Sequence, residues 1–425
     1  ETHSLKSDAE ELKKALFKHL FHDKRFDPSK ISYIFSGLTT LLKEFVPIEF
    51  DQRATIQAQY EMCKILRELN MDTLYKKEWR KLGQKIEHPK YQNSTTQYYT
   101  YKYHFEAQEQ QTLMSRKVYP LLSNAIFNLE AHFIAESLHF ACLNAGPQSV
   151  TEVVRSQKLL VEILQKVEAG NFDKSPAVVI YYYAYQVLFN NSEPYFFKLF
   201  KWLKENWNLF PINEIEDIYL SGINFCISKI NSGNRDFMKH AFDLYRSGLS
   251  HKVFMKDGYL SIYNYKNILR LGLTQKAYEW TESFLHEFKD WLPKEEQENT
   301  FNYNLAYFYF QKKEYDITMD LLRHVKFKDV YNNIDSRRML LQIYYELEEW
   351  SALDSHLDSF QSYVLRQKNI GYHKTANLNL IKITRLMMKK FPLSAKSKMQ
   401  IKRRIENATH LAEKNWVVKT SGVSL

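Results

Sequence analysis

Residues that interrupt helices are scarce in this chain. It has only 11 glycines and 10 prolines among 425 residues, well below the usual shares of roughly 7% and 5%. A β-sandwich or an α/β enzyme of this length needs many tight turns and glycine-rich loops, which use left-handed backbone conformations. The scarcity therefore predicts long helices joined by short polar connections, and a backbone that rarely visits the left-handed region.

Apolar residues recur at spacings of three and four along nearly the whole chain, which predicts about eighteen helices and almost no strand. Ser175-Pro176 has the form of a helix start, with serine as the cap and proline in the first turn. The tyrosine run at 181–183 is rich in strand-forming residues, but no hairpin-turn signals flank it. We therefore predict an all-α fold, an α-solenoid of stacked antiparallel helix pairs.

The composition supports a folded chain that stays out of the membrane interior. Hydrophobic residues make up 44% of the sequence, and 64 residues are Tyr, Phe or Trp. No uninterrupted apolar run reaches the roughly 18 residues of a membrane-spanning helix, and no signal-peptide pattern is visible. Cys63, Cys142 and Cys226 are far apart in apolar helical stretches, so we expect buried free thiols. A reducing, cytoplasmic location follows as an expectation.

Positive charge is concentrated at one end. The net charge is +10, and the residues from Lys374 onward contain twelve Lys and Arg against only Glu406 and Glu413. Seven of these cations lie within sixteen residues that contain no acid: Lys389, Lys390, Lys396, Lys398, Lys402, Arg403 and Arg404. Such a run can attract nucleic acid, an anionic membrane or an acidic protein, or it can be the solvated face of a terminal helix pair. It lacks the interleaved aromatics and glycines of single-strand platforms.

Two segments of the C-terminal half share one pattern. Residues 304–325 and 339–357 each place apolar and aromatic residues at matching helix positions, followed by a polar turn and an aromatic. In the first segment these are Leu305, Ala306, Tyr309, Tyr315, Thr318, Leu322 and Val325; in the second they are Leu340, Leu341, Tyr344, Trp350 and Leu353. Residues 267–285 add small residues at Gly272 and Ala277.

This pattern resembles the tetratricopeptide repeat, in which a small residue at the helix crossing lets the backbones approach closely. The resemblance is good over 257–366 and loose over 175–256. Leu341 and Leu353 stand where the family usually has Gly or Ala, which implies a wider spacing there. Residues 16–45 resemble the start of an uncharacterised bacterial helical-repeat family. Three regions are expected: an N-terminal helical region (1–170), tetratricopeptide-like repeats (171–372), and a basic C-terminal pair and tail (373–425).

The resemblance also implies a binding surface. Tetratricopeptide arrays receive peptides on a concave face lined by set positions of the first helix of each pair. The matching positions are Lys266, Arg270, Tyr303, Tyr307, Phe310, Arg338, Gln342 and Tyr345. An aromatic surface with three cations suits an extended segment that bears carboxylates. The alternative is that the aromatics pack against the neighbouring pair and the cations are ordinary surface residues.

No catalytic or metal-binding pattern is recognisable. The sequence has no glycine-rich phosphate loop, nucleophile elbow, His-Glu-x-x-His or Cys-x-x-Cys. His132, Glu136 and His139 share one helical face, but a di-iron bundle needs a second Glu-x-x-His, which is missing. We therefore expect no cofactor and no enzyme activity. The predicted function is that of a scaffold that binds a protein, peptide or partner helix, with acidic ligands among the candidates. The alternative is nucleic-acid binding through the basic run.

Overall fold

The structure, a computed structural model, describes residues 2–21, 25–51, 55–114, 120–143, 159–256, 258–326 and 329–424. The chain divides into two compact units, residues 1–222 and 223–425. The boundaries expected from sequence, after residues 170 and 372, follow changes in sequence character and do not coincide with this division.

The secondary-structure elements in the described part of the first unit are all helices. Its helices are α1 (Thr2–Phe21), α2 (Pro28–Asp51), α3 (Ile56–Glu68), α4 (Asp72–Glu87), α5 (Ser94–Met114), α6 (Pro120–Leu143), α7 (Leu160–Glu168), α8 (Pro176–Phe189), α9 (Glu193–Asn206) and the first part of α10 (Ile212–Asn231). Helix α3 packs on α4, α5 on α6, α6 on α8, and α8 on α9. The predicted start of α8 is confirmed, because the Ser175 hydroxyl accepts the Val178 N–H at 3.4 Å.

The second unit continues with helix pairs. After the rest of α10 come α11 (Phe237–Ser250), β1 (Met255–Lys256), β2 (Tyr259–Leu260), α12 (Ile262–Thr274), α13 (Tyr278–Glu287), α14 (Gln297–Gln311), α15 (Tyr315–Arg323), α16 (Val330–Glu346), α17 (Trp350–Arg366), α18 (Tyr372–Lys389), α19 (Ala395–Glu406) and α20 (Lys414–Ser421). We call α12, α14, α16 and α18 the first helices. Each packs on the helix that follows it, and α13, α15 and α17 contact the next first helix.

Three turns between paired helices have the same backbone form. Lys276, Lys313 and Glu348 each adopt a left-handed conformation, with φ of 57°, 65° and 56°. In each turn the next residue donates its N–H across the helix end at 2.9 Å, as Ala277 does to the Gly272 carbonyl. This bond closes the helix C-terminus in the Schellman manner. Lysine and glutamate therefore occupy the left-handed region at these three turns in place of glycine.

The predicted all-α fold is confirmed. The described residues contain twenty α-helices, and their strands are confined to the two-residue pair β1–β2. Periodicity predicts a helix from residue 257, but that hairpin lies there, and Ser261 then caps α12 by accepting the Tyr263 N–H. None of the described helices combines the length and apolar character needed to cross a membrane. Cys63 and Cys226 are buried free thiols, whose burial raises their pKa to about 11 and about 12.

Candidate functional site

Three cations from two first helices meet at one carboxylate. The Asp335 carboxylate accepts from Arg338 Nη1 at 3.1 Å and from Arg270 Nη2 at 3.5 Å, and it lies 3.9 Å from Lys266 Nζ. Lys266 and Arg270 come from α12, whereas Asp335 and Arg338 lie one turn apart on α16. We call these four residues the cation cluster. Asp335 is the carboxylate that all three cations share.

Two tyrosines of α14 form the apolar side of the cation cluster. Lys266 Nζ lies 5.4 Å from the centre of the Tyr303 ring, and the Arg270 guanidinium lies 4.8 Å from that of Tyr307. These are cation–π distances, which suit partly buried cations. The Tyr303 hydroxyl donates to Asp335 at 3.3 Å and its side chain is buried. Five of the eight predicted partner-binding residues are thus brought together.

The environment changes the acid–base behaviour of this cluster. Burial, and then the neighbouring Arg270, lowers the pKa of Lys266. Burial also acts to lower the pKa of Arg270, but Tyr307, Tyr303 and Asp335 outweigh it and hold that pKa above its usual value. Burial and Asp335 raise the pKa of Tyr303. The Arg270 side chain is 41% exposed and that of Lys266 is 29% exposed, so both cations remain reachable from solvent.

Arg338 links the cluster to the end of the chain. Its Nε donates to Asn377 Oδ1 on α18 at 2.8 Å, and its Nη1 lies 3.7 Å from the Glu413 carboxylate. Glu413 belongs to the C-terminal segment, residues 407–421, which follows α19 and includes α20. Two hydrogen bonds fix the segment along α18: the Ala412 backbone N–H donates to the Ala376 carbonyl, and the Asn379 side-chain amide donates to the His410 carbonyl.

An aromatic of the same segment covers Tyr345. The Trp416 ring meets Tyr345 edge-on at 5.6 Å, and its indole N–H donates to the Glu346 carboxylate at 3.1 Å. Glu346 also accepts from Tyr315 and from Lys313. Burial acts to raise the pKa of Glu346, but these three hydrogen bonds outweigh it and lower that pKa. Tyr345 is therefore buried, and burial raises its pKa to about 12.

The other two predicted partner-binding residues pack inward: Phe310 is partly buried and Gln342 is buried. Phe310 packs in the cluster between α14 and α15, 6.3 Å from the Tyr315 ring, and Gln342 is buried on α16. Reasoning from the sequence missed Asp335, Glu413 and Trp416. Asp335 could have been found, because it lies three residues before Arg338 and so faces the same way on a helix. Glu413 and Trp416 carry no such signal.

The basic run lies mostly on the surface of α19 and its approach. Six of its seven cations have exposed side chains. Lys402 differs, since its Nζ donates to the Ser424 carbonyl and lies 3.9 Å from Glu406. Lys398 lines a cleft of about 410 Å³ beside α20, together with Glu348, Phe391 and Lys419. The exposed cations of the run therefore lie at the end of α18 and along the solvent-facing side of α19, and one of them, Lys398, lines the cleft.

The first unit holds a separate polar cluster on α6. The Ser94 hydroxyl lies 2.7 Å from His132 Nδ1, and Glu136 lies 4.0 Å from His139, which stacks on the Tyr181 ring at 4.6 Å. The neighbouring His139 lowers the pKa of Glu136 against the effect of burial. Within the ranges that the structure describes, no three His, Cys, Asp or Glu side chains are arranged to hold a metal ion.

Comparison of the chain with known protein families, with curated proteins and with solved structures finds no match. The fold itself defines the class of protein: an all-α protein in which consecutive helices pack as pairs. What the chain does must be inferred from its own side-chain contacts. Chemically, the cation cluster can bind a carboxylate: Lys266 and Arg270 have the shared Asp335 as their ion-pair partner among the described residues, and both face solvent in part.

Proposed function

We propose that the second unit is a tetratricopeptide-like array that works as a non-enzymatic interaction scaffold, and that the cation cluster binds an acidic peptide or partner helix. The convergence of Lys266, Arg270 and Arg338 on one carboxylate is the observation that carries this proposal. The repeated left-handed turns at 276, 313 and 348 support the array, because their spacing of about 35 residues is that of the sequence repeat.

The chemistry favours a ligand carboxylate over a neutral ligand. Three cations that share one aspartate repel each other, and a second carboxylate between Lys266 and Arg270 relieves that repulsion. The tyrosine rings beneath them restrict access of water on one side, which strengthens a charge-assisted hydrogen bond. An acidic side chain on an extended or helical segment therefore fits the site better than an apolar anchor does.

Selection of a random displayed peptide library on the immobilised full chain tests this proposal. Peptides recovered from the unaltered chain should be enriched in Asp and Glu. Lys266→Glu with Arg270→Glu should reduce recovery of those peptides by about tenfold or more, because both attractive charges become repulsive. The matched control is Lys294→Glu with Lys326→Glu, which makes the same charge change at exposed lysines of the same unit. Circular dichroism verifies that each variant keeps its helices.

Two outcomes contradict the proposal. Recovery of peptides without acidic enrichment would show that the cation cluster does not select its ligand. Equal loss of acidic peptides in the control variant would show that the net charge of the unit, and not the cluster, causes the attraction.

A second candidate function is nucleic-acid binding through the basic run. The exposed side chains of Lys389, Lys390, Lys396, Arg403 and Arg404 favour it, since those described residues form no ion pair. Binding of this kind should weaken steeply with salt, because bound counterions are released. Fluorescence anisotropy with duplex and single-stranded DNA at two salt concentrations measures this. Affinity that is unchanged by Lys396→Glu with Arg403→Glu would exclude the run as the contact.

A further inference from the structure

The end of the chain is bound to the first helices through the kind of contact proposed for a partner. Glu413 approaches Arg338 of the cation cluster, with 3.7 Å between its carboxylate oxygen and Arg338 Nη1. Three residues later, Trp416 donates to Glu346 and packs against Tyr345. Arg338 and Tyr345 were both predicted from the sequence as partner-binding positions. The C-terminal segment therefore occupies part of the predicted surface.

We infer that the surface formed by Arg338, Tyr345 and Glu346 is a binding site for a segment with an acidic residue followed three residues later by an aromatic, and that residues 407–421 are its resident ligand. This inference rests on the proposed function and names the ligand class more closely. The acidic residue pairs with Arg338, and the aromatic contributes ring contact to Tyr345 and an N–H to the Glu346 carboxylate. Tryptophan supplies both of the latter, whereas phenylalanine supplies only the ring.

The shape of the C-terminal segment depends on this surface. Helix α19 ends at Glu406, and the next seven residues are not helical. Glu413 then adopts a left-handed conformation, with φ of 51°, immediately before α20. A non-glycine residue in this conformation costs about 1 kcal/mol, and an isolated helix of eight residues is not stable in water. Contacts with α16 and α18 must therefore compensate for both costs.

Burial of the segment is uneven. Val417 is fully buried in the core of the last helices, whereas the Glu413 side chain is 36% exposed and Trp416 is half-buried. Val417 holds α20 in place, and the contacts that resemble a ligand lie at the solvent edge. A competing segment can therefore gain access at Glu413 and Trp416 first.

Covalent attachment gives the resident segment an advantage over any free ligand. A tethered segment acts at an effective concentration on the order of millimolar. A free peptide with the same sequence therefore binds the unaltered chain poorly, even if the site fits it well. Weakening the resident contacts removes this competition, and the free peptide should then bind more tightly.

The test uses the full chain and a fluorescent free peptide of residues 407–421, with anisotropy as the readout. Glu413→Gln with Trp416→Ala in the full chain should bind this peptide at least about tenfold more tightly than the unaltered chain. Adding Arg338→Glu to that variant should abolish the gain. The matched control, Lys414→Gln with Asn415→Ala, alters exposed neighbours in the same segment and should leave binding unchanged.

Glu413→Gln alone keeps the test decisive if the double variant loses its helical circular dichroism, and it should still raise affinity about threefold. Equal peptide binding by the unaltered and altered chains would overturn the inference and make the segment a structural cap only. That failure differs from failure of the proposed function, because among the described residues no hydrogen bond or ion pair joins the segment to Lys266 or Arg270. Loss of acidic library peptides from the Lys266→Glu, Arg270→Glu chain would stand regardless.

Discussion

The two units each hold a cluster of polar residues between helices, and the two clusters differ in kind. In the first unit, Glu214 accepts from the Asn93 amide at 2.6 Å, and burial raises the pKa of Glu214. Its neighbours on α6 are histidines and a carboxylate that hydrogen-bond locally. In the second unit, Asp335 is surrounded by the basic side chains of Lys266, Arg270 and Arg338.

The difference concerns what each cluster can still bind. Amides, hydroxyls and histidines satisfy one another and fasten α5, α6 and α10 together, and burial there penalises charge. Of the three cations around Asp335, Arg338 also approaches Glu413, whereas Lys266 and Arg270 are partly exposed and have no second acid as an ion-pair partner among the described residues. A cluster of the first kind stabilises a fold, whereas one of the second kind also attracts an anionic ligand.

Removing the shared carboxylate should have the largest effect. Asp335→Ala leaves three cations and the Tyr303 hydroxyl without their common partner, so we expect the free energy of unfolding to fall by about 2–3 kcal/mol. Asp335→Asn keeps an acceptor and should cost less. Urea denaturation followed by circular dichroism measures both variants.

The matched change in the first unit is Glu214→Gln, which keeps an acceptor for Asn93 and removes a charge that burial disfavours. It should leave stability at pH 7 unchanged or raise it slightly. A loss as large as that of Asp335→Ala would show that the two clusters are equivalent, and the comparison would then fail.

Glycine packing gives the next largest effect. A Cβ at Gly272 would lie 2.2 Å from Thr281 Oγ1, where α12 crosses α13, and Thr281 is fully buried. Gly272→Ala should therefore cost about 2 kcal/mol through overpacking. Gly37 on α2 has no atom within 4 Å of the corresponding position, so Gly37→Ala should stabilise by about 0.5–1 kcal/mol. Thermal unfolding compares them, and a harmless Gly272→Ala would contradict close helix approach there.

Much of the fold follows from local patterns that the sequence shows directly. The spacing of apolar residues predicts the helices, Ser175 is confirmed as a cap, and Gly272 lies where a small residue is needed for a close crossing. Placing Lys266, Arg270 and Arg338 on one surface needed only the repeat. The helices and the cap depend on residues a few positions apart, and the repeat relates equivalent positions of successive helix pairs, so a single sequence is sufficient to predict both.

Contacts between distant segments could not be predicted in this way. The sequence suggests one helix over about 394–415, because residues 407–413 contain no glycine or proline. The structure ends that helix at Glu406, and Glu413 makes the turn with a left-handed backbone. Its stabilising contacts come from Arg338, 75 residues earlier. Only tertiary packing can make such a turn favourable, and periodicity contains no information about it.

Opposite pKa shifts of two glutamates give the smallest predicted effect. Hydrogen bonds from Tyr315, Lys313 and Trp416 lower the pKa of Glu346 below its usual value of 4.5, so the unfolded chain takes up its proton first as pH falls. The contribution of Glu346 to stability is therefore present above pH 4.5 and is lost as pH falls through the folded-state pKa. Burial raises the pKa of Glu214, so the folded chain takes up that proton first, and stability rises as pH falls through the raised pKa towards 4.5.

Unfolding free energies measured from about pH 3 to pH 7 for the unaltered chain, Glu346→Gln and Glu214→Gln separate these two contributions. Relative to the unaltered chain, the Glu346→Gln variant should lose less stability as the pH falls. The Glu214→Gln variant should lack the rise in stability that protonation of Glu214 gives the unaltered chain. Each difference should be about 1 kcal/mol or less, because solvent screens the partly exposed Glu346. Parallel pH profiles for all three chains would show that neither carboxylate titrates differently on folding. Trp416 is one of the donors to Glu346. If Glu346→Gln leaves the pH dependence of stability unchanged, that result would therefore also count against the Trp416–Glu346 contact that holds the C-terminal segment on α16.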